Sequence, residues 1–162
     1  MDLLVIRHGK AEPRGPDGRD ASRPLSEEGR KKLRRGVRGL HSLVPALDGL
    51  VASPLVRAVE TAEIVAEAYA PLEFEQTPVL EPEREPKELA DWLADRRESV
   101  LAIVGHEPLL SHAATWFLSG LRSSFIDLGT GGVLLLRFPA EIGVGRAHLV
   151  FALTPKQLRK LG

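Results

Sequence analysis

Three short apolar segments, each followed by a segment with helical periodicity, constrain the fold of this chain most strongly. They are residues 3–6, 49–52 and 99–104. Short apolar runs that are rich in Val, Leu and Ile and bounded by turn-forming residues are typical of buried strands. Strands that alternate with helices along the chain predict a three-layer α/β/α sandwich with a mostly parallel central sheet.

Apolar periodicity and capping residues place the remaining elements. The first predicted helix runs from about Glu27 to Val44, after an N-cap at Ser26. Further helices are predicted to begin at Pro54, Pro86, Glu107 and Pro155, the one at Pro54 with Ser53 as its N-cap. Residues 133–138 and 147–153 predict an antiparallel hairpin at the C-terminal edge of the sheet. Residues 72–86 predict only short strand and loop, and residues 10–24 a long loop that borders a site.

Length and composition limit the classes of protein to consider. A chain of 162 residues is enough for one domain, so we expect a single domain over residues 1–162. Lys plus Arg and Asp plus Glu both number 22, and this balance gives no reason to expect a nucleic-acid or membrane partner. The absence of cysteine excludes disulfides, thiolate metal ligands and a cysteine nucleophile. Without a bilayer-length apolar run or a signal peptide, the chain is expected to be cytoplasmic, and its oligomeric state is left open.

Basic side chains follow each of the three predicted parallel strands. Arg7 and His8 come after the first strand, Arg57 after the second, and His106 after the third. Right-handed crossovers bring the ends of such strands to one edge of the sheet, where α/β proteins bind their ligands. Two arginines suit the oxygens of a phosphoryl group, and two histidines supply a candidate nucleophile and a further hydrogen-bond donor. The sequence therefore predicts a site for a phosphoryl group.

These segments together resemble a known family. The matching stretches, in the order of the family, are residues 7–9 (RHG), 24–29 (PLSEEG), 53–58 (SPLVRA) with Thr61-Ala62, and 104–108 (VGHEP). They resemble the histidine phosphatase superfamily, and within it the small SixA-type phosphohistidine phosphatases. The resemblance implies a phosphoglycerate mutase-like fold. The short chain leaves no room for the large cap insertions of other branches.

The resemblance also implies a role for each matching residue. His8 is the nucleophile that becomes transiently phosphorylated, and Gly9 lets the backbone approach closely. Ser53 is a candidate for hydrogen bonding to the phosphate, although helix capping alone explains a serine there. The resemblance implies no metal ion and no other cofactor. The residues that hold the phosphoryl oxygens and stabilise charge in the transition state are Arg7, Arg57 and His106, with His106 as a cationic or a neutral donor.

The proton donor for the leaving group stays open. A phosphate ester needs an acid, whereas the imidazole that leaves phosphohistidine is less demanding. Glu107 matches the position of the acid in the acid-phosphatase branch, but an acidic residue at a helix N-terminus has the same signature. Glu81 and Glu83 are the other candidates, in a Glu/Pro-rich stretch that is typical of a solvated loop.

The leading hypothesis is a phosphatase that acts on phosphohistidine of a protein partner through a phosphohistidine intermediate. A phosphatase for small phosphate esters and a mutase are the alternatives within the enzyme class. The non-enzymatic alternative is a phosphoryl-relay or phosphate-binding module in which His8 only accepts or contacts phosphate. A zinc site made by His8 and His106 lacks the ligand spacing of known zinc sites. The remaining histidines are interpreted as structural; they are His41, His112 and His148.

Overall fold

A computed structural model describes all residues, 1–162. Its six strands are β1 (Asp2–Arg7), β2 (Gly49–Ala52), β3 (Glu75–Gln76), β4 (Val100–Gly105), β5 (Val133–Arg137) and β6 (His148–Leu153). Its helices are α1 (Glu27–Leu43), α2 (Val56–Ala68), α3 (Pro86–Ala94), α4 (Leu109–Ser119) and α5 (Pro155–Leu161), with a short 3-10 helix at Pro78–Leu80. None of these helices combines the length and the apolar character needed to cross a bilayer.

The six strands form one mixed sheet in the order β3-β2-β4-β1-β5-β6. The first four strands in the chain are parallel to each other wherever they pair, as Ile6 with Val104 shows for β1 and β4. β5 runs antiparallel to β1, and β6 runs antiparallel to β5. This arrangement confirms the predicted α/β sandwich with its C-terminal antiparallel hairpin. It also places β1 and β4 side by side at the centre of the sheet.

Apolar residues cover both faces of the sheet. From β1, Leu4 and Ile6 belong to one core, which includes α1, α2 and α5. Leu3 and Val5 point to the opposite core, which includes α3 and α4. Each of these four side chains is at most 3% exposed. Alternate side chains of a strand face opposite sides of the sheet, so burial on both faces fixes the register of β1 and with it the position of the residues that follow.

Helix α1 begins and packs as its sequence predicts. The Ser26 hydroxyl accepts a hydrogen bond from the Gly29 amide, which is the N-cap arrangement. On the face toward α5, a Cβ atom at Gly39 would lie 2.0 Å from the backbone oxygen of Leu158, whereas one at Gly36 would approach only to 3.7 Å from Leu158 Cβ. Close packing of α1 on α5 therefore depends on Gly39 but not on Gly36.

Two predicted helix starts are wrong. The prediction placed Ser53 at the N-cap and Pro54 in the first turn, but α2 begins at Val56 with Leu55 as its N-cap. Ser53 instead extends the sheet, where its amide donates to the Val104 oxygen at 2.9 Å. The helix after β4 was predicted to begin at Glu107, but α4 begins at Leu109. Proline disfavours the helical conformation in the residue before it, and this excludes Glu107 from α4. The later start of α2 follows from tertiary contacts, since Ser53 is bonded to β4 and the Val56 amide to the Ala21 oxygen.

Candidate active site

His8 directly follows β1 and presents one ring nitrogen to its surroundings. Its Nδ1 lies 2.7 Å from the Gly9 carbonyl oxygen, which can only accept, so Nδ1 carries the proton. Nε2 then keeps its lone pair and accepts a hydrogen bond from Arg57 Nε at 3.3 Å. Burial, reinforced by the charges of Arg57 and Arg7, lowers the pKa of His8 to about 4. His8 is therefore a neutral imidazole at pH 7, with an unprotonated Nε2 that the hydrogen bond from Arg57 orients.

His106 lies beside His8 because β4 and β1 are neighbours in the sheet. The two ring centroids are 4.9 Å apart, and the ring planes are tilted by 51°. The His106 side chain is buried, and neither of its ring nitrogens has a hydrogen-bond partner. Burial and the neighbouring His8 lower the pKa of His106 to about 3. At neutral pH, His106 thus offers one N–H donor to a ligand without adding a charge.

Arg57 reaches His8 from the first turn of α2. Its side chain is only 6% exposed. One turn later, the Thr61 hydroxyl donates to the Arg57 backbone oxygen at 2.7 Å and accepts from the Gly9 amide at 3.1 Å. Thr61 therefore ties the start of α2 to the turn after β1. This link holds Arg57 and His8 at a fixed separation.

Arg7 enters the site from the last position of β1. Its Nη1 donates to the backbone oxygen of Leu128 at 2.6 Å, while its Nε is buried without a partner. The turn at residues 129–132 supports this position, because the Gly131 amide donates to the backbone oxygens of Arg7 and His8. Gly131 has a φ of 74°, a left-handed conformation that glycine adopts without strain. The four basic residues predicted to converge, Arg7, His8, Arg57 and His106, lie at the same edge of the sheet.

Buried polar atoms without a partner are concentrated at this edge. The chain has four such side-chain atoms: Nε of Arg7, both ring nitrogens of His106, and Oε1 of Glu107. Buried polar groups are nearly always hydrogen-bonded in folded proteins, so an unpaired group calls for an explanation. Three of the four atoms belong to side chains that donate hydrogen bonds: Arg7, which precedes His8 in the chain, and His106, whose ring lies beside that of His8. Such an arrangement is suited to the oxygens of an anionic ligand.

Sequence reasoning missed Asp20, which belongs to the loop at residues 10–24. The Arg57 guanidinium donates to the Asp20 backbone oxygen at 2.9 Å and to its carboxylate at 3.0 Å. Arg23 donates to the same carboxylate at 2.7 Å. The hydrogen bond from Arg23 and the charge of Arg57 lower the pKa of Asp20. The loop was predicted to border a site, but it has no periodicity that singles out one of its residues.

The other candidates occupy varied positions. Gly9 contributes its carbonyl oxygen and amide to the contacts of His8 and Thr61. Ser53 is fully buried, and its hydroxyl accepts from the Leu55 amide at 3.4 Å. Glu81 follows the 3-10 helix and pairs with Arg84 at 4.0 Å, whereas Glu83 is exposed. Neither of these two glutamates contacts His8 or His106, so the structure does not bring them to the site.

Comparisons with known proteins agree with this geometry. Residues 3–85 match the family model of the histidine phosphatase superfamily (branch 1). An uncharacterized protein of Picosynechococcus sp. is 32% identical over 164 residues, which cover 98% of this chain and 99% of that protein.

Solved structures show the same fold. The protein histidine phosphatase SixA complexed with tungstate has a TM-score of 0.84 at 20% identity, covering 98% of this chain and 99% of that chain. Phosphoserine phosphatase of Entamoeba histolytica in complex with phosphoserine has a TM-score of 0.74 at 14% identity, covering 97% of this chain and 98% of that chain. The phosphoglycerate mutase-like fold expected from the sequence is thereby confirmed.

Proposed function

Because this chain belongs to the histidine phosphatase superfamily and is a phosphatase, we propose that it hydrolyses phosphohistidine on a protein partner, with His8 as the nucleophile. One observation carries the proposal. Nε2 of a neutral, buried histidine faces Arg57, at the edge of the sheet where Nε of Arg7 and both ring nitrogens of His106 are buried without a partner. A phosphoryl group placed there meets a nucleophile and hydrogen-bond donors at the same time.

In the first step, the phosphoryl oxygens take over the hydrogen bond of Arg57 Nε, and the freed Nε2 lone pair of His8 attacks phosphorus. A new P–N bond forms to His8 while the P–N bond of the substrate breaks, and its electron pair stays on the departing imidazole. That imidazole leaves as a neutral ring once its other nitrogen has taken a proton from water. Arg7 and Arg57 compensate the charge on the phosphoryl oxygens, and His106 donates its single N–H. The proposal assigns no role to a metal ion.

In the second step, water attacks the phosphorylated His8. The oxygen of water forms a bond to phosphorus, the P–N bond to His8 breaks, and inorganic phosphate is released. One proton of the water goes to Nε2 and then to solvent. The lowered pKa of His8 favours loss of that proton, and so returns the ring to the form that attacks the next substrate.

The state of Asp20 supports phosphohistidine over an ester as substrate. Asp20 is the carboxylate in contact with the cations of the site, and its two arginine partners keep it ionised. An ionised carboxylate cannot protonate the oxygen of a departing alcohol. The imidazole of phosphohistidine can take its proton from water instead. A site with Arg57 and His8 but without a protonated acid is therefore sufficient for phosphohistidine.

The proposal is tested by comparing hydrolysis of a phosphohistidine peptide with hydrolysis of a panel of sugar and nucleotide phosphates. We expect the peptide to have the higher kcat/KM, and His8→Ala to abolish turnover while the thermal unfolding midpoint stays close to that of the wild type. A phosphoryl adduct on His8 that is labile in acid and stable in alkali is expected during turnover. Faster hydrolysis of the esters contradicts the substrate class. A stable adduct that passes to an acceptor without hydrolysis identifies a relay instead.

A small phosphate ester is the second candidate substrate because of Glu107. Its Oε1 is buried without a partner directly after His106, where a protonated carboxyl would be able to serve the leaving oxygen. Under this alternative, Glu107→Gln lowers kcat on esters by about 100-fold, the scale of general acid catalysis. The same variant leaves hydrolysis of phosphohistidine nearly unchanged. Measuring both substrates on one variant therefore separates the two candidates.

A further inference from the structure

Asp20 makes a set of contacts that its position in an irregular loop does not require. Its backbone oxygen and its carboxylate accept from two different nitrogens of Arg57, at 2.9 Å and 3.0 Å. The third nitrogen of that guanidinium, Nε, points at His8 Nε2. Three of the five N–H bonds of Arg57 are thus engaged in hydrogen bonds to two residues, Asp20 and His8. The guanidinium plane is fixed relative to the nucleophile.

The loop is anchored at the same place by a backbone contact. The Val56 amide, the first of α2, donates to the Ala21 oxygen at 3.1 Å, and the N-cap residue Leu55 makes no side-chain capping bond. Asp20 and Ala21 therefore bind adjacent residues at the start of α2. The loop end that carries Asp20 is docked on the helix that carries Arg57.

Charge gives this contact a further role. The Arg57 side chain is almost fully buried, and a buried charge without a partner is strongly unfavourable. The Asp20 side chain remains 61% exposed, so it compensates the charge without itself becoming fully buried. A phosphoryl dianion that binds to Arg57 then comes close to a carboxylate of the same sign. Asp20 consequently orients Arg57 and at the same time weakens the hold of the site on free phosphate.

We propose that Asp20 is a positioning residue, which acts through Arg57 by holding its guanidinium plane beside His8, so that the N–H bonds that Asp20 does not engage are directed at the phosphoryl group. This inference rests on the proposed function of the same site. It assigns a specific task to the loop at residues 10–24, namely to complete the arginine side of the phosphoryl site.

A double-mutant cycle tests whether Asp20 acts through Arg57. With p-nitrophenyl phosphate as substrate, Asp20→Ala is expected to lower kcat by about 10-fold in the wild-type background, because a misplaced catalytic group loses this order of rate. In the Arg57→Ala background, the same change is expected to alter kcat by less than about twofold. Equal losses in both backgrounds overturn the proposal, as does the absence of any loss in the wild type.

Tungstate binding, measured by calorimetry, tests the proposal without catalysis. Asp20→Asn keeps the shape of the side chain but removes its charge, so the Kd for tungstate is expected to fall at least about threefold. The matched control is Asp17→Asn, which removes one charge from the same loop. Asp17 contacts Arg19 and Ser22 rather than Arg57, and its variant is expected to keep the wild-type Kd and kcat.

The two measurements separate failure of this inference from failure of the proposed function. A wild-type chain that hydrolyses neither esters nor phosphohistidine refutes the proposed function, and the tungstate series then decides the role of Asp20. An unchanged Kd in Asp20→Asn, or an equal fall in Kd in Asp17→Asn, overturns that role. A fall in Kd that disappears in the Arg57→Ala background supports it.

Discussion

His8 and His106 make the stability of the fold depend on pH in a range where few carboxylates titrate. Both rings are buried, and the pKa falls from 6.5 to about 4 for His8 and to about 3 for His106. The unfolded chain therefore takes up protons near pH 6 that the folded chain cannot bind. The stability that this difference in pKa contributes is fully present above the unfolded pKa of 6.5 and is lost as the pH falls towards 4. Between pH 7 and pH 5, each histidine contributes a loss of about 2 kcal/mol in the free energy of unfolding.

Urea unfolding followed by circular dichroism at pH 7, 6 and 5 measures this loss. The wild type is expected to lose about 4 kcal/mol over the range, a large fraction of the stability of a typical domain. His8→Gln replaces one titrating ring and is expected to halve the loss. A wild-type loss below about 1 kcal/mol, or a loss that His8→Gln leaves unchanged, would refute the reasoning that burial keeps both rings neutral.

Four further substitutions test the packing and the site. Gly39→Ala is expected to destabilise the fold by at least about 2 kcal/mol in urea unfolding, because its Cβ would overlap the Leu158 oxygen. Gly36→Ala on the same helix would meet Leu158 Cβ only at an ordinary van der Waals distance and is expected to stabilise the fold by up to about 1 kcal/mol; equal effects at both positions would contradict the packing argument. Ile103→Ala, at a fully buried position of β4, is expected to cost about 2–5 kcal/mol, and a cost below 1 kcal/mol would contradict its place in the core. Arg57→Lys keeps the charge but loses the planar fork, so kcat/KM is expected to fall at least about 10-fold; retention of wild-type kcat/KM would contradict the assigned geometry.

The central part of the fold was predictable because its signals are local. The apolar runs of β1 and β4 and the capped, periodic α1 each specify an element over a few adjacent residues. Since parallel strands end at one edge, the same signals also predicted that Arg7, His8, Arg57 and His106 come together. That part of the site depends on topology rather than on detailed packing.

The parts that were missed depend on contacts between distant segments. Asp20 pairs with Arg57 across 37 residues, and no pattern within the loop distinguishes it from the other polar residues there. The start of α2 was misplaced for a related reason. Pro54 is a good first helical residue, but Ser53 remains hydrogen-bonded to β4 and Ala21 accepts from the Val56 amide, so tertiary contacts set the boundary.

The position of β1 in the sheet has a consequence for the order in which the protein is made. β1 precedes every other element described, yet its two neighbours are β4 and β5. Three helices and two strands are synthesised before β4 can pair with it, and α4 follows before β5 completes the pairing. Pairing between segments so far apart in sequence slows folding. His8, the proposed nucleophile, therefore leaves the ribosome early but acquires His106 and its full backbone support late.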